Sequence, residues 1–424
     1  MTAILFVTFL VLLVLGVPIA FAIAVAGVAV MMAGDVNLLI VVQRMFASTD
    51  SFPLIAVPFF ILAGDLLARG SMSQALVAFA ESLLGRIRGG LSAVAVAAGM
   101  FFAAISGSGA ATTAAVGATL IPELKKRNYD ESSSAALVAA SGCIGVVIPP
   151  SVPMVLYAVI ANQSVTQLFS NGFLPGIAMG VVLIAIALYQ AHKRHYPRGE
   201  KRSPKDTLVN IVKTFARAIG AILMPLIILG GIFSGKFTPS ESAAVAVIYA
   251  ALISFVIYRD MSLKELGQII LGSARTSSVI MIIIACSGIF GWALANWKIP
   301  EHIATGVLSI SDNKYVLLLL IALIVLVAGI FMETSSAVIL LTPVFLPLVN
   351  ALGVSLVHFG IIFTIGISIG MITPPVAINL FVASSTTGLP IEKISKSVVP
   401  YLVGLILVFL LYTYLPLFIP ALVV

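Results

Sequence analysis

Two stretches decide how this chain folds: residues 142–153, GCIGVVIPPSVP, and residues 370–379, GMITPPVAIN. They hold the only two Pro-Pro pairs in the sequence, each at the end of an apolar, glycine-containing run. Proline lacks an N–H and its ring clashes with the preceding helical turn, so each run is predicted to be a long helix interrupted part-way along. The interruption frees backbone carbonyls at residues 145–148 and 370–373, and Pro150 or Pro374 suits the first turn of the helix that follows. Free carbonyls attract cations, and helix N-termini attract anions.

The rest of the chain sets those breaks in a membrane. Of 424 residues, 61% are hydrophobic and 9% charged, with a mean hydropathy of +1.18; soluble domains carry about 25% charged residues. At roughly 20 residues per crossing the chain has room for about a dozen spans and none for a separate soluble catalytic domain. Runs such as VLLLLIALIVLVAGIF are apolar on every side, which excludes the alternation of a β-barrel and predicts an all-α polytopic protein. The opening MTAILFVTFLVLLVLGVPIAF has no basic segment before its apolar run and reads as a retained helix. The net charge of +7 gathers in loops, where it reports orientation and contact with membrane lipid, so nucleic acid is not expected as a partner. Cys143 and Cys286 lie far apart in apolar runs, which argues against a disulfide or a thiolate metal site.

The two halves resemble each other. Pro122, Pro149, Pro150 and Pro175 recur 225 residues later as Pro347, Pro374, Pro375 and Pro400; Gly145 meets Gly370, and Ser108 falls opposite Glu333. The charge bias reverses between the copies: ELKKRNYDE follows Pro122, whereas LVNALGVSLVH follows Pro347. Since Lys and Arg favour the cytoplasmic side, matching loops lie on opposite faces, as in an inverted-topology repeat. Residues 1–190 form the first copy, 191–218 a basic cytoplasmic connector, and 219–424 the second. Breaks in hydropathy fall at 34–49, 70–90, 123–134, 190–217, 258–274, 296–314 and 384–397. The basic loops at 86–88, 125–127 and 193–205 are expected in the cytoplasm.

Residues 90–124 start and finish beside basic loops and are short for two full crossings, so they read as a re-entrant hairpin with its tip at Ser106-Gly107-Ser108-Gly109. Residues 315–349 form its counterpart, with its tip at Glu333-Thr334-Ser335-Ser336. Broken helices at 132–160 and 357–383 follow them. Two tips and two breaks at one depth supply ligands for an anionic solute and for a small hard cation such as Na⁺.

The runs VPFFILAGDLL, GSGAATTAAVGATLIPELKKRNYD, GVVIPPSVPMVLYAV, FTPSESAAVAVIYA and GMITPPVAINLFVASS together resemble the large membrane (permease) subunit of tripartite ATP-independent periplasmic (TRAP) transporters, over almost the whole chain. The resemblance implies an elevator-type fold like that of the ion-transporter superfamily, in the bacterial inner membrane. It implies Na⁺-coupled import of an organic acid such as a C4-dicarboxylate or sialic acid, delivered by a periplasmic binding protein, with a small helical membrane subunit as partner. Carried onto matching positions, one Na⁺ site would use Ser106, Ser108, Gly145 and Ile148, and a second Gly329, Thr334, Gly370 and Thr373. Glu333, Ser336, Pro150, Pro375 and Asn379 become candidates for substrate binding or coupling. No organic cofactor is expected, and the chain is not expected to be an enzyme.

Single residues carry competing readings. Glu333, ionisable at an expected hairpin tip, suggests cation- or proton-linked function, against a carboxylate that only holds the tip by hydrogen bonds. Asp65 stands four residues before Arg69, which reads as a structural helix pair. Thr238 and Glu241 read as a capping box. Arg44 and Arg275 flank apolar spans and read as snorkelling side chains before substrate ligands. GGIFSGKF at 230–237 approaches a phosphate-binding loop, but Phe237 replaces the required hydroxyl. The rival functions are a stand-alone ion-coupled carboxylate carrier or antiporter and an intramembrane serine hydrolase built on Ser106 or Ser108. The hydrolase needs a base, and the one histidine in an apolar setting, His358, is expected near the outer interface. His192, His195 and His302 fall in loops without metal-ligand spacing.

Overall fold

The computed structural model describes residues 1–68, 71–198, 203–308 and 313–419 and, apart from residues 304, 307 and 308, their side chains. Among these residues the chain is helical, with no strand. The first part forms α1 (Thr2–Val14), α2 (Ile19–Ala33), α3 (Leu39–Thr49), α4 (Ala56–Ala68), α5 (Ser71–Leu84), α6 (Gly90–Ser106), α7 (Gly109–Lys126), α8 (Glu131–Cys143), α9 (Val152–Ile160) and α10 (Val165–Lys193). The second forms α11 (Pro204–Phe233), α12 (Pro239–Ile253), α13 (Leu263–Asn296), α14 (Ile299–Leu308), α15 (Lys314–Phe331), α16 (Thr334–Ala351), α17 (Leu356–Gly370), α18 (Ile378–Thr387) and α19 (Ile391–Phe418). Among the described residues seven helices are long and apolar enough to cross a bilayer: α10, α11, α12 with its continuation to Tyr258, α13, α15, α16 and α19.

Burial sorts these helices into layers. From Ser132 to Cys143 every residue of α8 is buried, as is every residue of α17 from Val357 to Gly370, which makes the two broken-helix segments the centre of the protein. Serine, alanine and glycine fill α8, so neighbouring backbones approach closely. Helices α7, α18 and α19 pack on α8; α15 packs on α17, and α16 on α9. A second set surrounds α13, which packs against α2, α3 and α4, while α12 lies on α4 and on α11. The sets meet where α4 and α5 touch α6 and where α13 touches α16.

At both Pro-Pro pairs the helix breaks, but not with the expected phasing. Helix α8 passes into a short 3₁₀ turn, Ile144–Val146, and α9 begins only after Ser151, whose hydroxyl accepts from Met154 N–H at 3.4 Å. Helix α18 likewise begins after Ala377. Pro149-Pro150 and Pro374-Pro375 are cis and lie in the connecting turns. Pro150 and Pro374 are therefore not first-turn residues of the following helices. In the first break Ser151 occupies the cap because its oxygen can take an orphan N–H, and Pro153 enters the first turn instead.

The connector is also shorter than expected. Helix α10 continues to Lys193 and α11 starts at Pro204, so Lys213 and Arg217 are helical; residues 199–202, including Lys201 and Arg202, lie outside the described residues. Leu208, Val209, Val212 and Phe215 are exposed on α11, whereas Thr214 bonds inward to Ser82 at 2.9 Å. Averaging over a polar window hides that helical period. The same holds for α3 and α5, which occupy stretches read as interruptions at 34–49 and 70–90. The Thr238–Glu241 capping box forms as expected.

Candidate functional site

The turn between α6 and α7 is closed by Gly107 at φ +59°, where a side chain would be strained. Ser108 caps α7, its hydroxyl accepting from Ala111 N–H at 3.4 Å. The Ser106 hydroxyl lies 2.9 Å from that of Thr112, which donates to the Ser108 carbonyl at 2.8 Å. Gly145, at the first break, lies against this knot: a Cβ there would meet Thr112 Oγ1 at 2.6 Å and the Ser108 oxygen at 2.8 Å. A Cβ on Gly107 would meet the Pro150 carbonyl at 2.8 Å. The fold thus gathers Ser106, Ser108, Gly145 and Pro150. Thr112 joins them unforeseen, although a hydroxyl four residues after a cap is well placed to bond the cap carbonyl. Ile148 turns its side chain toward Gly176 of α10.

The turn between α15 and α16 closes without glycine, through Met332 in an extended conformation. Glu333 caps α16: its carboxylate accepts from Ser335 N–H at 2.9 Å, Ser336 N–H at 3.1 Å and the Ser335 hydroxyl at 3.1 Å. Thr334 and Ser336, expected at the tip, belong to the first turn of that helix. Gly329 and Gly370 are in backbone contact, since a Cβ on Gly370 would come within 2.3 Å of the Gly329 carbonyl carbon. The Thr334 hydroxyl points to Met371 Sδ at 3.3 Å, while that of Thr373 folds back onto the Ile369 carbonyl at 2.9 Å.

Met371 and Asn379 tie the two assemblies together. The Met371 sulfur that meets Thr334 also lies beside Gly109, 3.1 Å from a Cβ built there. Asn379 donates its backbone N–H to the Met371 carbonyl at 2.9 Å and its amide to the Ala139 carbonyl of α8 at 3.2 Å. It is fully buried, and its Oδ1 has no hydrogen-bond partner among the described residues. Asn379 thus joins the breaks from behind and does not line the cavity they enclose, while Pro375 is exposed away from it.

That cavity has a volume of about 240 Å³. First-turn residues of four helices line it: Ala110 and Ala111 of α7, Val152 and Pro153 of α9, Thr334 and Ser335 of α16, and Ile378 of α18. Gly64 and Asp65 of α4 and Thr276 and Ile280 of α13 form the opposite wall. Gly64 permits the approach, because a Cβ there would come within 2.9 Å of Ser106 Cα. Asp65 and Glu333 are the titratable residues of the lining. Asp65 accepts from the Ser273 hydroxyl at 2.6 Å; its expected partner Arg69 lies outside the described residues. Read from sequence as one half of a helix pair, Asp65 faces the cavity because Gly64 brings α4 against the first turn. The lining contains no histidine, and His358 is buried with Nε2 2.8 Å from the Tyr412 carbonyl, so neither Ser106 nor Ser108 has an imidazole base there. Arg44 lines a separate cavity of about 570 Å³ between α3, α9, α13 and α16.

At the far ends of these helices lies a charged cluster. Arg127 bonds Glu81 at 2.8 Å and Glu123 at 2.9 Å. Asp130 caps α8, accepting from Ser133 N–H at 2.7 Å, and pairs with Arg194 at 3.1 Å. Burial pushes the Asp130 carboxyl up, but the bonds from Ser133, Ser132 and Arg194 together hold it below its ordinary value.

Residues 6–418 match the family described as "Tripartite ATP-independent periplasmic transporter, DctM component". The chain is 40% identical to the isethionate TRAP transporter permease protein DctMQ of Oleidesulfovibrio alaskensis, covering 97% of this chain and 65% of that longer protein. It is 38% identical to the C4-dicarboxylate TRAP transporter large permease protein DctM of Pseudomonas aeruginosa, over 88% of this chain and 86% of the other. It is 35% identical to the sialic acid TRAP transporter large permease protein SiaM of Vibrio cholerae, over 96% and 95%. The fold is similar to the crystal structure of the Alcanivorax borkumensis YdaH transporter, with a TM-score of 0.66 over 89% of this chain and 88% of that one; at 14% identity this shows the fold alone.

Proposed function

The chain belongs to the DctM-component family of tripartite ATP-independent periplasmic transporters, multi-pass proteins of the bacterial inner membrane, and on that premise we propose that it imports a small organic acid together with Na⁺. The observation that carries this is the convergence of four helix N-termini and two carboxylates on one cavity. Helix N-termini favour an anion, and Asp65 and Glu333 favour cations beside it. Na⁺ is held at the first turn by oxygens of Ser106, Ser108, Thr112 and the 145–148 backbone, and at the second by those of residues 329, 334, 370 and 373. A cavity of about 240 Å³ is below the roughly 300–1,000 Å³ of drug-sized ligand sites, which suits an acid of the size class of isethionate or a C4-dicarboxylate better than a sialic acid.

Helix pairs α6/α7 and α15/α16 act as re-entrant hairpins of an inverted repeat. What supports this is that each pair abuts the break of the helix that follows, Gly107 against Pro150 and Gly329 against Gly370. They move as a body with α8–α10 and α17–α19, past a scaffold of α1–α4 and α11–α13, in an elevator step. The cavity containing Arg44 is the route from the outer side. A small helical membrane subunit and a periplasmic binding protein complete the transporter.

Proteoliposomes containing the chain, the small subunit and loaded binding protein test the reading. Uptake of a labelled carboxylate is expected to require an inward Na⁺ gradient. Equal uptake without the gradient overturns the coupling, and uptake by this chain alone identifies a stand-alone carrier.

A further inference from the structure

We propose that a second cavity, at the far end of α7, binds the phosphate headgroup of an anionic phospholipid. It has a volume of about 560 Å³ and is bounded by α5, the first turns of α11, the end of α7 and the segment after α10. Among the described residues three guanidinium groups line it, those of Arg86, Arg127 and Arg198, with Glu81 as the lining carboxylate and Glu123 pairing with Arg127 from outside the lining. Asn210 and Thr214 add uncharged hydrogen-bonding groups. Arg127 is held in place by Glu81 and Glu123, and Arg86 Nη1 donates to the Thr207 hydroxyl at 2.7 Å. The guanidinium groups of Arg86 and Arg198 beside hydroxyls match the oxygens of a phosphate, with Arg127 already engaged by its carboxylates.

A free phosphate and a lipid headgroup share this chemistry, and the surroundings favour the lipid. The helices that present polar groups to the cavity present apolar ones beside it: Leu83 on α5, Ile87 just beyond it, and Leu208 and Val212 on α11 are all exposed. A headgroup in the cavity leaves its acyl chains against these side chains, whereas a soluble anion would gain nothing from them. The basic loops flanking the cavity face the cytoplasm in the orientation their charge dictates, and anionic lipid is enriched in that leaflet. Because α5 and α11 form one wall and the ends of α7 and α10 another, a lipid bound there touches both helix sets, away from the cavity between the two breaks. The site stands whether or not the transport reading does.

The test is thermal unfolding of the full chain in neutral detergent, with phosphatidylglycerol, phosphatidylcholine or inorganic phosphate added. Phosphatidylglycerol is expected to raise the midpoint of the parent and of a Lys236→Gln/Lys264→Gln control, which loses the same charge elsewhere. At least half of that rise should disappear in Arg86→Gln/Arg198→Gln. Should the double variant fail to fold, Arg198→Gln alone, altering an exposed side chain, carries the comparison. An equal rise in the cavity variants, no rise in the parent, or the same rise with phosphatidylcholine overturns the proposal. A rise with inorganic phosphate alone also overturns it, in favour of a soluble anion.

Discussion

At the first turn facing the cavity between the two breaks, glycine reverses the chain and a neutral hydroxyl, Ser108, caps the next helix. At the second, Met332 reverses it and a carboxylate, Glu333, caps two N–H groups. The two caps stand 225 residues apart, at the same place in each half. Where the broken helices begin, the exchange runs the other way: Asp130 caps α8, whereas Ser355, again 225 residues on, makes no side-chain bond to α17. A cap needs an acceptor and not a charge. The halves therefore share a scaffold of caps but place their carboxylate differently, outside with Arg194 in one and in the cavity in the other. The charge on Glu333 exceeds what the turn requires, and cation binding is the proposed use of it.

The largest effect that can break this comparison lies at the glycines. Gly370→Ala puts a Cβ against the Gly329 backbone, and Gly145→Ala puts one against a hydroxyl and a carbonyl. Both overpack, at a cost of about 1–3 kcal/mol or more, with Gly370→Ala the worse because backbone cannot rotate away. Thermal midpoint and uptake are expected to fall in that order, while Gly272→Ala, with nothing within 4 Å, stays near the parent. Equal damage at 145 and 370 would mean that the two breaks are packed alike.

Next comes the pair of caps. Glu333→Gln keeps an acceptor and removes the charge, so the folded protein should persist while Na⁺-driven uptake falls by about tenfold, equivalent to ~1.4 kcal/mol. Ser108→Ala removes an acceptor from a neutral turn and should lower stability by about 1 kcal/mol with a smaller loss of uptake. Parent-like uptake by Glu333→Gln at every Na⁺ concentration would reduce Glu333 to a cap. A subtler contrast is Thr112→Val, which removes the hydroxyl that bonds both Ser106 Oγ and the Ser108 carbonyl. The half-saturating Na⁺ concentration is expected to rise ~3-fold, the order of one lost hydrogen-bonding group, and less for Thr373→Val, whose hydroxyl is turned back on its own helix.

The smallest effect is at Asp130. Its carboxyl is held below the ordinary value in the folded protein, so its contribution is complete above the unfolded pKa of about 4 and is lost as pH falls through the lowered one. Acid unfolding of Asp130→Asn should lack that limb, by a small margin because the pair with Arg194 is half exposed. An unchanged acid limb would remove the outer carboxylate from the comparison.

The parts of this protein set by short-range chemistry are legible in its sequence. Pro-Pro pairs cannot continue a helix, Ser-Gly-Ser-Gly permits a reversal, Thr238 and Glu241 close a capping box, and an overall apolar composition leaves only helices in a bilayer. Amphipathic helices α3 and α5 and the first turns of α11 were not legible from mean hydropathy, because a helix with one polar side averages to the value of a loop.

Which residues meet is set by the packing of whole helices. Asp65 enters the cavity wall because Gly64 admits the first turn, and Met371 bridges the turns because Thr334 and Gly109 close on it from different halves. Asn379 faces α8 through a bond to Ala139, 240 residues away. A residue's own neighbours fix its backbone preferences, but its partners across such distances follow from how whole helices bury their small-residue faces. That packing is a property of pairs of surfaces, and no single stretch of sequence contains it.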